Sequence, residues 1–193
     1  MLIGITGFVG SGKGVTSDFF KMKGFTVISL SDFLREECSL RGQEINRNTL
    51  TDIANEWRTL HGPNHLSKKA LERLNNKELA VVDSIRNPAE VEELRKRPDF
   101  VLLAVDASQE VRFERVKARN RENEIKTFDE FKRFDFSEAR SPDPNGKRIL
   151  SCIEVADIII KNEKSLQDLY DKLEEIIGPY IVQTKAPNVP QQK

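Results

Sequence analysis

The stretch "GFVGSGKGVT" at residues 7–16 holds the side chains with the clearest chemical possibility. Gly7, Gly10 and Gly12 allow a backbone that turns tightly and points several N–H groups inward, the arrangement that cradles a phosphate. Lys13 adds a point charge for the outer phosphates, and a helix opening here would aim its N-terminus at the same anion. The nucleotide-binding set read from this loop is Gly7, Phe8, Val9, Gly10, Ser11, Gly12, Lys13, Gly14 and Val15. In most loops of this pattern the residue after the lysine is a Ser or Thr whose hydroxyl ligates magnesium. Here it is Gly14. That residue counts against a motor ATPase or a switch GTPase and suits a small kinase whose Mg²⁺ arrives with ATP.

Such a loop works only between a strand and a helix, and the flanking sequence supplies both. "LIGIT" (2–6) is a short apolar run, and a helical pattern follows over roughly 13–23. Further strand-like runs are "FTVISL" (25–30), "ELAVVDS" (78–84), "FVLLAVDA" (100–107) and "ADIIIKN" (156–162). Ser31 or Asp32 can cap a helix reaching about Leu40, and helical patterns recur near 48–60, 63–75, 88–97, 109–120 and 165–177. Continuously apolar strands alternating with helices predict a three-layer α/β/α domain over 1–178 with a five-stranded parallel sheet. Two segments interrupt the alternation: a helical insertion at about 42–76, read as the acceptor region, and a charged stretch at about 120–150, read as a short lid. Both fall at strand C-termini, where a parallel sheet places its ligands. Residues 179–193 read as a disordered tail.

Composition narrows the function classes. Thirty-one basic residues balance 31 acidic ones, so bulk charge attracts neither a nucleic acid polymer nor a membrane. Anion binding must therefore come from local clusters. Cys38 and Cys152 are the only cysteines and lack metal-type spacing, which suits a reduced, cytoplasmic protein. No apolar run approaches the ~20 residues that span a bilayer. Oligomeric state is left open.

At the loop the chain resembles adenylate kinase and related P-loop nucleoside-monophosphate kinases, in which Gly after Lys is common; Val15 departs from their usual Thr. The resemblance continues in order along the first 177 residues. "VISLSDFLREE" (27–37) is similar to the segment that places an Asp and an Arg near the acceptor nucleotide, matched by Asp32 and Arg35. "VVDSIRNPAEVEEL" (81–94) looks like the third strand with its Asp and Arg, matched by Asp83 and Arg86. "VDASQEVRFERVKARNR" (105–121) resembles the helix leading into the lid, with Arg115 and Arg119 at the matching arginines. "ADIIIKNEKSLQDLYDKL" (156–173) is like the last strand and helix of the wider group, which includes dephospho-coenzyme A kinase. The closest overall likeness is to archaeal-type nucleotide kinase-like proteins.

The resemblance implies roles. Lys13, Asp32, Arg86 and Arg119 form the catalytic set, and Arg115 joins the loop in holding the donor. Asp32, Arg35 and Arg86 serve the acceptor, with the arginines gripping phosphate through paired hydrogen bonds. Asp83 orients Mg²⁺ through water. Arg47 and Arg58 flank the insertion without a firm assignment. Arg121, Arg133 and Arg140 read as a solvated face. The expected activity is transfer of phosphate from ATP, with Mg²⁺, to a small-molecule phosphate acceptor, a (deoxy)nucleoside monophosphate. Dephospho-coenzyme A is the alternative acceptor, and a nucleotide-binding regulatory module with little turnover is the alternative of another class.

Overall fold

Five apolar runs pair side by side, all parallel, in the order β2-β3-β1-β4-β5. The computed structural model describes residues 1–119, 125–143 and 145–184. The strands are β1 (Leu2–Thr6), β2 (Thr26–Ser29), β3 (Ala80–Ile85), β4 (Phe100–Asp106) and β5 (Ile158–Lys161). Alternation along them feeds two apolar layers. Leu2, Ala80, Val82 and Leu102 face one layer, built with α2 (Leu30–Leu40), α3 (Arg47–His61), α4 (His65–Leu74) and α5 (Pro88–Leu94). Ile3, Ile5, Val81, Leu103 and Val105 face the other, closed by α1 (Lys13–Met22) and α9 (Leu166–Thr184). The predicted parallel sheet with helices on both faces is what the chain forms.

β1 is central, and the chain leaves it toward β2 on one side and reaches β4 on the other. Its C-terminal end is therefore the point where the connections diverge, the crevice in which open α/β sheets bind ligands. The β1–β3 pairing is irregular there: Gly4 pairs with Val82 but Thr6 pairs with Ile85, so β3 carries one extra residue. Ser84, inside this bulge, has φ +68°. A serine held in the left-handed region is strained by of order 1–3 kcal/mol, and such positions cluster at functional sites. The Thr6 hydroxyl donates to the Ile85 carbonyl at 2.9 Å and pins the far side of the bulge.

Two helices were not expected from periodicity. α7 (Phe128–Ala139) lies in the stretch read as a charged lid, α8 (Ile149–Glu154) starts at the end of that stretch, and α6 (Gln109–Arg119) precedes them. α7 opens with a capping box between Thr127 and Glu130 and buries Phe131 against Phe113 and Val116 of α6. Its polar look comes from one solvent-facing side only. Neither Ser31 nor Asp32 caps α2; the capping position is Ser29, and both lie in the first turn. α9 runs to Thr184, past residue 178 where the tail was expected to start. Residues 185–193, most of that tail, lie outside the described residues, as does Arg121.

Candidate active site

The loop between β1 and α1 owes its shape to glycines at positive φ: Gly7 at +142°, Gly10 at +79° and Gly12 at +112°. Close approach enforces the same choice. A Cβ on Gly7 would lie 2.2 Å from the Val105 carbonyl oxygen, and one on Gly10 would lie 2.5 Å from that of Arg112. A Cβ on Gly12 would lie 2.4 Å from the Asn162 side-chain nitrogen, which donates to the Ser11 carbonyl at 2.8 Å. Ser11 is wholly buried and its hydroxyl has no partner among the described residues. An unsatisfied buried hydroxyl packed against Gly7 of this loop is the kind of exception that marks a functional site.

Lys13 folds back, and its ammonium donates to the Phe8 carbonyl at 2.8 Å. Burial pulls its pKa down to about 8, with Asp83 opposing and Arg86 reinforcing the fall. The lysine is thus poorly balanced alone and would gain from an arriving anion. Phe8 and Val9 contribute backbone rather than side chains: Phe8 packs with Ile149 and Ile153, and Val9 packs against the Phe113–Phe131 cluster. Val15, the departure from the adenylate kinase pattern, sends its side chain into the α1–α9 core layer. Thr16 is fully buried and donates to the Gly12 carbonyl at 3.2 Å, so its hydroxyl is committed to the helix. Gly14 is exposed, with nothing within 4 Å of the Cβ position.

Asp83 is buried at the end of β3, where one carboxylate oxygen accepts from the Ser84 N–H at 2.5 Å. Asp83 is one of two carboxylates, with Glu138, whose charge acts on Lys13, and a carboxylate here would suit a magnesium held mainly by waters and nucleotide oxygens. Among the described residues no group of three or more His, Cys, Asp or Glu forms a metal-binding cluster. A single carboxylate of this kind fits a Mg²⁺ that is also held by waters and nucleotide oxygens.

Beside the loop lies a cavity of about 500 Å³, within the range of small-molecule sites. Its rim and floor carry Arg35, Arg47, Arg58, Arg86 and Lys147 with one carboxylate, Glu138; Leu30, Leu34, Leu50, Ala54, Leu66 and Phe134 supply apolar wall. Arg35 and Arg86 therefore converge on one space, from α2 and from just beyond β3. Glu138 is buried between the cations: it accepts from Arg86 at 3.4 Å and from the Lys147 ammonium. Burial alone would raise its pKa, but Arg86, Lys147 and Arg47 together hold it below the ordinary carboxylate value. Lys147 is shifted down, first by burial and then by Arg86, against the pull of Glu138.

Other residues lie apart from this space. Asp32 is exposed and bound to Arg35 at 2.7 Å, and it is not among the cavity-lining side chains. Its position on the outer side of the first turn of α2 explains this, since Ser31 takes the inward place and accepts from Arg35 at 2.7 Å. Arg119 is exposed at the C-terminal end of α6 and makes no ion pair among the described residues. Arg115 is half-buried with one guanidinium nitrogen unpartnered; burial lowers its pKa and Glu163 opposes this. Arg133 and Arg140 are exposed, the latter within 3.5 Å of Glu154.

The arginine of α6 that meets the loop is Arg112. It is 3% exposed, donates to the Ala107 carbonyl at 2.9 Å and to the Val9 carbonyl at 3.4 Å, and forms a two-pronged pair with Asp135 of α7 at 2.5 and 2.6 Å. Arg112, Asp135, Glu138, Lys147 and Asn162 were all absent from the sequence-derived site. The capping signal at Thr127–Glu130 would have revealed α7, and with it Asp135 and Glu138 three residues apart on one face.

A family model described as an AAA domain matches residues 3–140. A UPF0200 protein of Sulfurisphaera tokodaii is 31% identical over 176 residues, covering 91% of this chain and 95% of that protein. A UPF0200/UPF0201 protein of Archaeoglobus fulgidus is 32% identical over 182 residues, and the match spans 91% of this chain but only 54% of that longer relative. The crystal structure of shikimate kinase from Aquifex aeolicus superposes with a TM-score of 0.59 at 17% identity, covering 94% of this chain and 99% of the other. That likeness is one of fold, the P-loop kinase three-layer α/β/α architecture. The chain belongs to the UPF0200 family, built on the P-loop AAA-domain frame.

Proposed function

We propose that this protein is an ATP-dependent phosphotransferase whose acceptor is a nucleoside monophosphate seated in the cavity beside the loop. One observation carries the reading: Lys13 shares its immediate charge environment with Asp83, Arg86 and Glu138, so the donor loop and the cation-lined cavity adjoin at the place where a phosphoryl group would pass. Phosphoryl transfer asks the protein mainly for position and charge neutralisation. Lys13 and the loop N–H groups hold the donor phosphates, and Arg35 and Arg86 hold the acceptor phosphate. An acceptor phosphate oxygen forms the new bond to the terminal phosphorus as the bond to the leaving ADP oxygen breaks. When bound, magnesium neutralises the donor phosphates, and Asp83 is the residue that would orient it. The shikimate kinase likeness supports a small-molecule acceptor rather than a nucleic acid polymer or a membrane. No helix of the described residues is long and apolar enough to cross a membrane. The reading is of a cytoplasmic enzyme, where its donor is found.

A hydroxyl acceptor such as dephospho-coenzyme A would benefit from a carboxylate base. Asp32, the residue expected to offer one, is outside the cavity and bound to Arg35. An acceptor already ionised at neutral pH needs no base, and the nucleoside monophosphate is favoured on that ground. The test is a radiolabelled-ATP screen over ribo- and deoxyribonucleoside monophosphates and dephospho-coenzyme A. Label should reach a nucleoside diphosphate; tight ATP binding with no labelled acceptor would instead favour a nucleotide-binding regulatory module.

A further inference from the structure

Arg58 lines the cavity beside Arg35 and Arg86 and carries two unpartnered guanidinium nitrogens among the described residues. It sits on α3 and is 3% exposed. One terminal nitrogen pairs with Glu90 at 3.2 Å, while Nε and the other terminal nitrogen have no partner among the described residues. Glu90 is itself fully buried, and its second oxygen accepts from the backbone N–H groups of Arg86 and Asn87 at 2.8 and 3.1 Å. The pair is thus locked in place and close to neutral overall, with donors to spare.

A phosphate is better served elsewhere in this cavity, where Arg35, Arg86 and Lys147 outnumber Glu138. What two spare donors on a charge-balanced pair accommodate is a neutral hydrogen-bond acceptor. The surroundings specify its shape. Leu34, Ala54 and Leu66 give an apolar wall, and Arg47 stacks on Phe134 at 3.9 Å to present a flat one. We infer that Arg58 reads the hydrogen-bonding edge of the acceptor's nucleobase, a carbonyl oxygen or ring nitrogen, and so selects a base-bearing phosphate over a bare sugar phosphate. This rests on the cavity being the acceptor site proposed above. A buried donor left unpaired penalises a ligand that lacks the matching group, which makes such a contact a strong discriminator.

The experiment measures equilibrium binding by titration calorimetry, without turnover. The probes are AMP, GMP, CMP, UMP and ribose 5-phosphate, against the full chain and against Arg58→Lys. Lysine keeps a cation beside Glu90 and removes the guanidinium donors. At least one nucleotide should bind the unaltered protein at least about tenfold tighter than ribose 5-phosphate, and Arg58→Lys should weaken that nucleotide by about 10- to 100-fold while leaving ribose 5-phosphate unchanged. If Arg58→Lys does not fold, the double variant Arg58→Gln/Glu90→Gln removes both charges and is measured in its place. Equal weakening of nucleotide and ribose 5-phosphate would make Arg58 a phosphate contact and overturn the inference, as would equal affinity of both for the unaltered protein. Nucleotide discrimination that vanishes with Arg58 in a protein that transfers no phosphate would uphold this assignment and remove the kinase reading alone.

Discussion

The side-chain amide of Asn162 donates to the Ser11 carbonyl at 2.8 Å, joining the end of β5 to the phosphate loop across 151 positions of sequence. The same nitrogen occupies the space that a Cβ on Gly12 would need. The loop is therefore clamped from the far edge of the sheet, and its glycine is dictated by the clamp as well as by φ.

Asn162→Ala should leave the fold intact and weaken ATP binding about tenfold, the value of one buried hydrogen bond to an ordered loop. Gly12→Ala should bind more weakly still, because φ +112° disfavours any side chain even when the amide is removed. Calorimetric titration with ATP checks both. Unaltered affinity in Asn162→Ala would show that the loop holds its shape unaided.

Gly14→Ser should be accepted. The site is exposed with open space around it, and serine favours a helix over glycine by a few tenths of a kcal/mol. The melting temperature should hold or rise slightly, and the Mg²⁺ concentration needed for half-maximal transfer should fall. Loss of ATP binding in this variant would mean that the backbone at Gly14 must approach the nucleotide closely.

Lys13→Met should abolish phosphate transfer without lowering thermal stability at pH 7. The lysine titrates near 8 in the folded chain against an ordinary 10.5, so the unfolded chain binds the extra proton between those values. Stability of the unaltered protein therefore rises with pH through that window, and below it the charged lysine opposes folding. Melting curves at pH 7 and pH 10 should show the advantage of Lys13→Met shrinking at the higher pH. For the same reason ATP affinity of the unaltered protein should fall as pH passes 8. A stability gap between the two proteins that does not change with pH would refute the assignment.

Asp135→Ala should be costly, by about 3–5 kcal/mol, because it strands the buried Arg112 guanidinium. Arg112→Met/Asp135→Leu should recover much of that loss. Both should expose α7 amides to hydrogen exchange and raise the KM for acceptor more than that for ATP, since Phe134 and Glu138 of α7 line the acceptor cavity. Denaturant melts and exchange mass spectrometry supply the measurements; equal stability of the single and double variants would argue against a buried ion pair.

How far the sequence reaches can be judged from particular residues. The loop was legible because its glycines and lysine are adjacent in sequence and their spacing is itself the chemistry. The strands were legible because burial on both faces makes each one continuously apolar. Arg35 and Arg86 could be paired through their positions at two strand ends. The kinase resemblance points to Arg115 and Arg119 on α6, and only the tertiary packing shows that Arg112, in the first turn of the same helix, meets the loop. Arg119 lies about 10 Å further along that helix axis. Arg58 and Lys147 reach the cavity from an insertion and a loop whose placement no local pattern encodes. Asn162 stands at the end of a strand it helps to define, and nothing near it in sequence points to residue 11.

The extra residue in β3 has a consequence for where the side chains at the end of that strand are directed. In an unbroken strand Val81, Asp83 and Ile85 would share a face; here Ile85 packs instead with Ala80 and Val82, so the odd–even phase inverts after Ser84. Asp83 flanks the lysine of the loop, and Ser84 and Arg86 just after it line the neighbouring cavity, with Arg86 also within the charge environment of Lys13. The irregularity, with Ser84 at φ +68°, thus sits between the carboxylate that flanks the loop lysine and the arginine that lines the cavity.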